Sequence, residues 1–179
     1  MRYASIRSLD VSNGENIGVS LFVQGCPFMC KNCFNPETWD FNGGKEWTEE
    51  TEQEFLKLID RPYIKRVSIL GGEPLADKNL DCVLKLIEKI RLFSDKTIWL
   101  YSGYTWEEIW KYELGNVYIN NFNADFLRQA IVSKCDVFID GRYIDSQKDI
   151  TFKWRGSKNQ RVIDIQESLK QNKVVLYCD

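Results

Sequence analysis

The sequence predicts an α/β domain with a mostly parallel sheet, forming a single unit over residues 1–179. Three observations predict it. Short apolar runs alternate with helical patterns, most runs stop at glycine or a turn pair, and no repeat, low-complexity tract or Pro/Gly/Ser-rich linker divides the chain. A closed eight-fold barrel typically takes about 250 residues, so a chain of 179 closes only part of one.

Each element follows from local pattern. Gly18 to Gly25 reads as a short buried strand bounded by glycines. Thr48 to Asp60 is helical, with Phe55, Leu56 and Ile59 on one face and Glu49, Glu50 and Glu52 at the positive end of the dipole. Arg66 to Leu70 is the next strand, stopped by Gly71-Gly72. A helix from about Lys78 to Phe93 places Leu80, Val83, Leu84, Ile87 and Ile90 at helical spacing. Thr97 to Tyr101 is a strand, Ser102-Gly103 a turn, and Thr105-Trp106-Glu107-Glu108 has the spacing of a capping box. Ala124 to Val132 reads as helix and Asp136 to Asp140 as a strand ending at Gly141. Ile163 to Lys170 reads as a short helix before a strand from Val174 to Tyr177. In parallel α/β architectures ligands sit at the carboxyl ends of strands. The loops at Cys26–Cys33, Gly71–Pro74, Ser102–Tyr104 and Asp140-Gly141 are therefore expected on one rim.

Composition narrows the chemistry. Lys+Arg 24 against Asp+Glu 26 leaves a net charge of -2, which gives no reason to expect nucleic acid. The longest apolar runs, such as Val19 to Val23, are too short to span a bilayer, and no apolar segment follows Met1 to Arg7 as in a signal peptide. A soluble, cytoplasmic protein away from membranes is the expectation. The chain has no histidine, which excludes Ser/His/Asp triads, His bases and His-containing zinc sites.

Six cysteines remain. Cys26, Cys30 and Cys33 fall within eight residues, while Cys82, Cys135 and Cys178 stand alone. A cytosolic chain does not normally use such a cluster as a disulfide framework. Three soft ligands suit zinc or an iron–sulfur cluster. Structural zinc wants a fourth protein ligand, and the three lone cysteines read as packing residues. A four-iron cluster held by three thiolates keeps one iron open to another ligand. Gly71-Gly72-Glu73-Pro74 offers close backbone approach and a carboxylate for an ammonium group, although a plain β-to-α turn has the same pattern. Ser102 and Asp140 end strands on that rim, as ligand contacts or as turn and capping residues. Tyr101 and Tyr104 suit either a pocket wall or the core, and Trp39 and Trp47 suit a cover over the cysteine loop. Between Lys148 and Arg161, five basic residues face one acid, with Phe152 and Trp154 among them: a solvated loop or a partner interface.

The cysteine spacing, three residues then two, resembles the signature of radical S-adenosylmethionine (SAM) enzymes. The resemblance narrows to the activating component of the class III, anaerobic ribonucleoside-triphosphate reductase. It rests on Gln24-Gly25-Cys26-Pro27, Cys33-Phe34-Asn35-Pro36-Glu37-Thr38-Trp39, Gly71-Gly72-Glu73-Pro74-Leu75, Tyr101-Ser102-Gly103-Tyr104-Thr105, Asp140-Gly141-Arg142-Tyr143 and the run from Trp154 to Asp164.

That likeness implies a partial (β/α) barrel of radical SAM type and one [4Fe-4S] cluster on Cys26, Cys30 and Cys33. It implies SAM bound on the open iron and cleaved by one electron to a 5′-deoxyadenosyl radical. Asn32, Cys33, Phe34, Gly71, Gly72, Glu73, Ser102 and Asp140 become the expected cofactor-binding residues, with no catalytic residue beyond the cofactors. The implied reaction takes hydrogen from a glycine Cα of the reductase's large component. A flavodoxin or ferredoxin would supply the electron, and the activase is often a dimer. Phe34 stands where this family commonly has histidine, so any proton role there is lost. The rivals are an activase for another glycyl-radical enzyme, a small-molecule radical SAM enzyme and a non-catalytic zinc adaptor.

Overall fold

The computed structural model describes residues 1–110 and 122–178. Its strands are β1 (Arg2–Asp10), β2 (Gly18–Val23), β3 (Lys45–Glu46), β4 (Arg66–Gly71), β5 (Thr97–Tyr101), β6 (Val137–Asp140), β7 (Arg161–Asp164) and β8 (Leu176–Cys178). Helices α1 (Glu49–Asp60), α2 (Leu80–Phe93), α3 (Trp106–Trp110), α4 (Phe122–Ser133) and α5 (Ile165–Gln171) lie between them. All eight strands join one sheet in the order β3-β1-β2-β4-β5-β6-β7-β8.

The class is α/β, but the sheet is mixed. β2, β4, β5 and β6 are parallel neighbours at its centre. β1 and β3 on one side, and β7 and β8 on the other, pair antiparallel. The expectation of a mostly parallel sheet is thereby corrected: helical crossovers produce the parallel centre, while returns that reverse direction add the flanks, β7 to β8 turning back through α5. β1, β3 and β7 are the strands that sequence pattern did not expose. β1 has no fully buried face to impose alternation, and its residues are mostly half-buried or exposed. β7 runs straight into α5, whose first residue continues the apolar run Val162-Ile163, so strand and helix read as one short helix. Asp164 separates them by accepting the Glu167 N–H at 3.0 Å as an N-cap.

Period-two alternation gives the sheet two different faces. Val19, Leu21, Val67, Ile69, Ile98, Leu100, Phe138 and Ile163 point toward the helices, packing with Phe55, Val83, Leu86, Ile87, Ile131 and Ile165. From the other face Trp99, Val137, Ile139 and Val162 form a second cluster, against which Tyr101, Trp154 and Cys178 pack. Arg66, fully buried, holds the β1–β2 loop there. Its Nε donates to Glu15 O at 3.0 Å, and its Nη2 to Asp10 O at 2.9 Å and Asp10 Oδ1 at 3.3 Å. The foreseen capping box opens α3: Glu108 N–H donates to Thr105 Oγ1 at 3.2 Å, and Glu108 Oε2 accepts Thr105 N–H at 2.8 Å. Among the described residues, no helix is long and apolar enough to cross a membrane.

Candidate functional site

A cavity of about 580 Å³ opens where β2, β4, β5 and β6 end. Cys26, Cys30, Cys33, Gly71, Gly72, Glu73, Ser102 and Gly141 line its upper part. Its wall continues down the face away from the helices, past Phe22, Leu70, Tyr101 and Ile139, to Arg7, Ser12 and Asn13. The strand-end loops do gather on one rim.

The cysteine loop is shaped by its backbone. Gly25, at φ 93°, turns the chain out of β2; its N–H donates to Thr38 O at 2.8 Å, and the Cys26 N–H to Trp39 O at 3.1 Å. Met29 and Asn32 adopt left-handed conformations, at φ 45° and 56°, which fold the loop tightly enough for the Cys33 N–H to reach Cys30 O at 3.1 Å. The Asn35 N–H donates to Cys33 Sγ at 3.4 Å. Phe28 anchors the loop sideways, edge-on to Tyr104 at 5.0 Å and beneath the Arg142 guanidinium at 4.4 Å. Only a glycine fits at position 103, where a Cβ would lie 2.4 Å from the Phe28 ring.

Burial pushes the Cys26 thiol up to about 11, with the charge of Glu73 adding to it; burial and then Cys33 raise Cys30. A bound cation reverses that preference by deprotonating the thiols. Among the described residues no three His, Cys, Asp or Glu side chains converge tightly enough for a single metal ion. The three thiols instead face one cavity from separate points of the loop. That arrangement, with soft sulfur ligands throughout, fits a multi-iron cluster, whose own span separates its ligands.

Glu73, fully buried, lines the same cavity beside Cys26. Its Oε1 accepts Leu75 N–H at 2.8 Å and the Ser102 hydroxyl at 2.7 Å, and its Oε2 accepts Gly103 N–H at 2.7 Å. Burial nevertheless outweighs these donors and lifts its pKa to about 7. The Glu73 N–H reaches Gly25 O at 2.8 Å, and Asn79 Nδ2 bridges Glu73 O and Gln24 O at 2.9 and 3.1 Å. The carboxylate turn and the cysteine loop are thus stitched together. Gly72 completes the seam: a Cβ there would lie 2.6 Å from Gly25 O.

The remaining expected residues divide. Ser102 serves Glu73 and accepts the Tyr104 N–H at 3.0 Å. Phe34 lines the cavity, half stacked on Tyr143 at 5.0 Å, and Asn32 Nδ2 donates to Asp145 Oδ2 at 2.8 Å. Asp140, fully buried, accepts the Trp106 N–H at 2.8 Å and the Arg161 guanidinium at 3.0 and 2.5 Å, lining a second cavity of about 410 Å³. Its side chain caps α3 and pairs with a cation. Trp39 lies in the wall beside Cys26, whereas Trp47 packs between Tyr3 and Phe55, away from the cysteine loop. Trp154 and Arg155 also line the cavity. Arg7, Ser12, Asn13, Phe28 and Arg142 were missed. Phe28, inside the cysteine motif, and Arg142, inside the Asp140-Gly141-Arg142-Tyr143 stretch, carried a local signal.

Three soft thiols and a buried carboxylate lining one cavity at the carboxyl ends of parallel strands define an α/β protein built around a metal-sulfur cofactor. Comparison with known proteins specifies it. The family model for a 4Fe-4S single cluster domain matches residues 12–163. The anaerobic ribonucleoside-triphosphate reductase-activating protein of Vibrio cholerae is 36% identical over 163 residues, covering 89% of this chain and 96% of its own. Its namesake in Escherichia coli K12 is 33% identical over 165 residues, covering 90% and 97%. That of enterobacteria phage T4 is also 33% identical over 165 residues, covering 90% and 93%. The chain belongs to the family of anaerobic ribonucleoside-triphosphate reductase-activating proteins.

Proposed function

We propose that this protein is a radical SAM activase that generates a glycyl radical on an anaerobic ribonucleoside-triphosphate reductase. One observation carries the reading: the three thiols and the Glu73 turn line a single cavity, and their two loops are joined backbone to backbone. Cys26, Cys30 and Cys33 would hold a [4Fe-4S] cluster, and Glu73 with the Gly71-Gly72 backbone would take the amino acid end of SAM. Together the two cofactors supply one-electron cleavage of SAM and removal of a hydrogen atom from a glycine Cα.

The chain's own residues orient and shield. Ser102 and the Gly103 N–H fix the Glu73 carboxylate, which would accept the ligand's ammonium group. Phe22, Leu70 and Ile139 give the cavity an apolar wall that keeps water from reactive species. On this reading the face without helices would admit a protein loop, as the open side of a partial radical SAM barrel would. Asp140 is assigned a supporting role through α3, Trp106 and Arg161. An acidic flavodoxin or ferredoxin as donor, a homodimeric activase and a cytoplasmic setting complete the reading.

The test is electron paramagnetic resonance on anaerobically reconstituted protein, reduced and mixed with SAM and the candidate reductase. A glycyl-radical doublet on the reductase is expected. Zinc without iron or sulfide in anaerobically purified protein would sink the reading and favour an adaptor.

A further inference from the structure

The exposed edge of the cysteine loop has a character its cofactor role does not require. Met29 is 59% exposed and Phe34 55%, large apolar side chains that folding would otherwise bury. Lys31, also exposed, sits between Cys30 and Cys33. The neighbouring turn brings a second cation: the Lys148 ammonium lies 5.4 Å from the Phe34 ring centroid. Both lysines act on Asp145, whose carboxylate is occupied by the Asn32 amide at 2.8 Å and the Tyr143 hydroxyl at 3.1 Å. That carboxylate is partly solvent-exposed but bonded on both oxygens, and Lys31 and Lys148 outnumber it at this edge. Tyr143 packs at a tilt against Phe34 and is close enough to Cys33 to feel its charge, so the patch adjoins that half-buried thiol.

We propose that this edge, centred on Met29 and Phe34 and flanked by Lys31 and Lys148, is the docking surface for an acidic one-electron donor protein. The inference rests on the activase reading, since it supplies the electron that reading needs. Charge complementarity selects the partner: two cations on an apolar centre suit a surface of Asp and Glu side chains. Position selects its task. Electron transfer demands a short path to the thiolate-held centre, and Tyr143 ties the patch to both Cys30 and Cys33. In the step itself the donor is oxidised by one electron, the protein's metal centre is reduced by one, and no bond or proton changes.

The experiment uses anaerobically reconstituted protein, flavodoxin hydroquinone as the probe, and the double variant Lys31→Glu/Lys148→Glu. Lys57→Glu/Lys173→Glu, with the same change in net charge elsewhere on the surface, is the control. At low ionic strength the patch variant should bind labelled flavodoxin, and be reduced by it, about 10-fold more weakly and slowly than wild type. At roughly 0.5 M salt, where screening removes steering, the rates should converge. A changed cluster potential would slow reduction at every salt concentration, which would overturn docking as the cause.

Equal loss in the control would overturn the patch by assigning the effect to net charge. Dithionite-reduced patch variant should cleave SAM and yield glycyl radical as wild type does. Loss of radical yield under dithionite would give the surface to the reductase and overturn the proposal. Wild-type binding and rate in the patch variant, with SAM cleavage intact, would defeat the docking surface alone. Failure of dithionite-reduced wild type to cleave SAM would strike the activase reading instead.

Discussion

At the scale of single residues, Glu73 is where burial and chemistry meet. Its carboxyl is raised to about 7 against an ordinary 4.5, because burial outweighs three donors. The folded state therefore binds this proton more tightly than the unfolded chain does. In cofactor-free protein, stability contributed here falls as pH climbs from about 4.5 to about 7 and is flat above. Relative to Glu73→Gln, the loss across that window should approach about 3 kcal/mol in urea unfolding. SAM binding has the opposite slope, since an ammonium group favours the charged carboxylate. Affinity should rise with pH through about 7 in wild type and stay level in Glu73→Gln. A wild-type affinity flat from pH 5 to 8 would remove Glu73 from the ammonium contact. For the thiols, Cys26→Ala, Cys30→Ala and Cys33→Ala should each abolish SAM cleavage, while Cys82→Ala on α2 largely spares it. Full cleavage by a Cys30→Ala protein with an intact cluster would defeat the assignment.

At the scale of elements, glycine and a buried cation hold the site's parts in register. Gly72 reads in sequence as room for a ligand. In the fold, that room is filled by the Gly25 carbonyl of the cysteine loop. Gly72→Ala should therefore separate the two loops, weakening SAM binding at least ~10-fold and also lowering iron retention. Iron content is the deciding measurement: normal iron with weak SAM binding would return Gly72 to ligand approach alone. Arg66 does the corresponding work for the β1–β2 loop, whose Ser12 and Asn13 form the lower cavity wall. Arg66→Met removes the buried cation of Asp10, leaving only the more exposed Arg7 at 3.5 Å, and should cost about 3 kcal/mol, read by urea unfolding.

The cysteine loop, Gly71 to Glu73 and the central strands were legible because apolar runs and glycines are local signals. Arg66 and Asn13 were not, since their meaning lies in contacts more than fifty residues apart. Asp140 was legible as a strand end, but its partners, Trp106 and Arg161, come from elements that only the tertiary structure brings together.

At the scale of the whole molecule, the cavity is closed by chain from both ends: the β1–β2 loop below and the segment around Trp154 and Arg155 beside it. Sequence places these two residues in a basic, aromatic stretch suited to a partner surface. The fold separates their roles. Trp154, at φ 61°, packs edge-on against Trp99 at 4.8 Å and beside Tyr177 at 6.2 Å, tying the loop to β5 and β8. Trp154→Ala should thus destabilise the fold by about 3 kcal/mol, so its activity loss says little about partners. Arg155 stacks its guanidinium over Phe152 at 4.2 Å and donates from Nη1 to Gln160 O at 3.1 Å, leaving charge directed along the cavity wall. Arg155→Ala should change stability by less than about 1 kcal/mol. If Arg155 meets the reductase, this variant keeps uncoupled SAM cleavage and loses most glycyl-radical yield. Should it instead lose SAM cleavage with no reductase present, Arg155 serves the SAM carboxylate. We expect the first result, because Glu73 and the glycine turn are stitched to the cysteine loop by their own hydrogen bonds, without help from this segment.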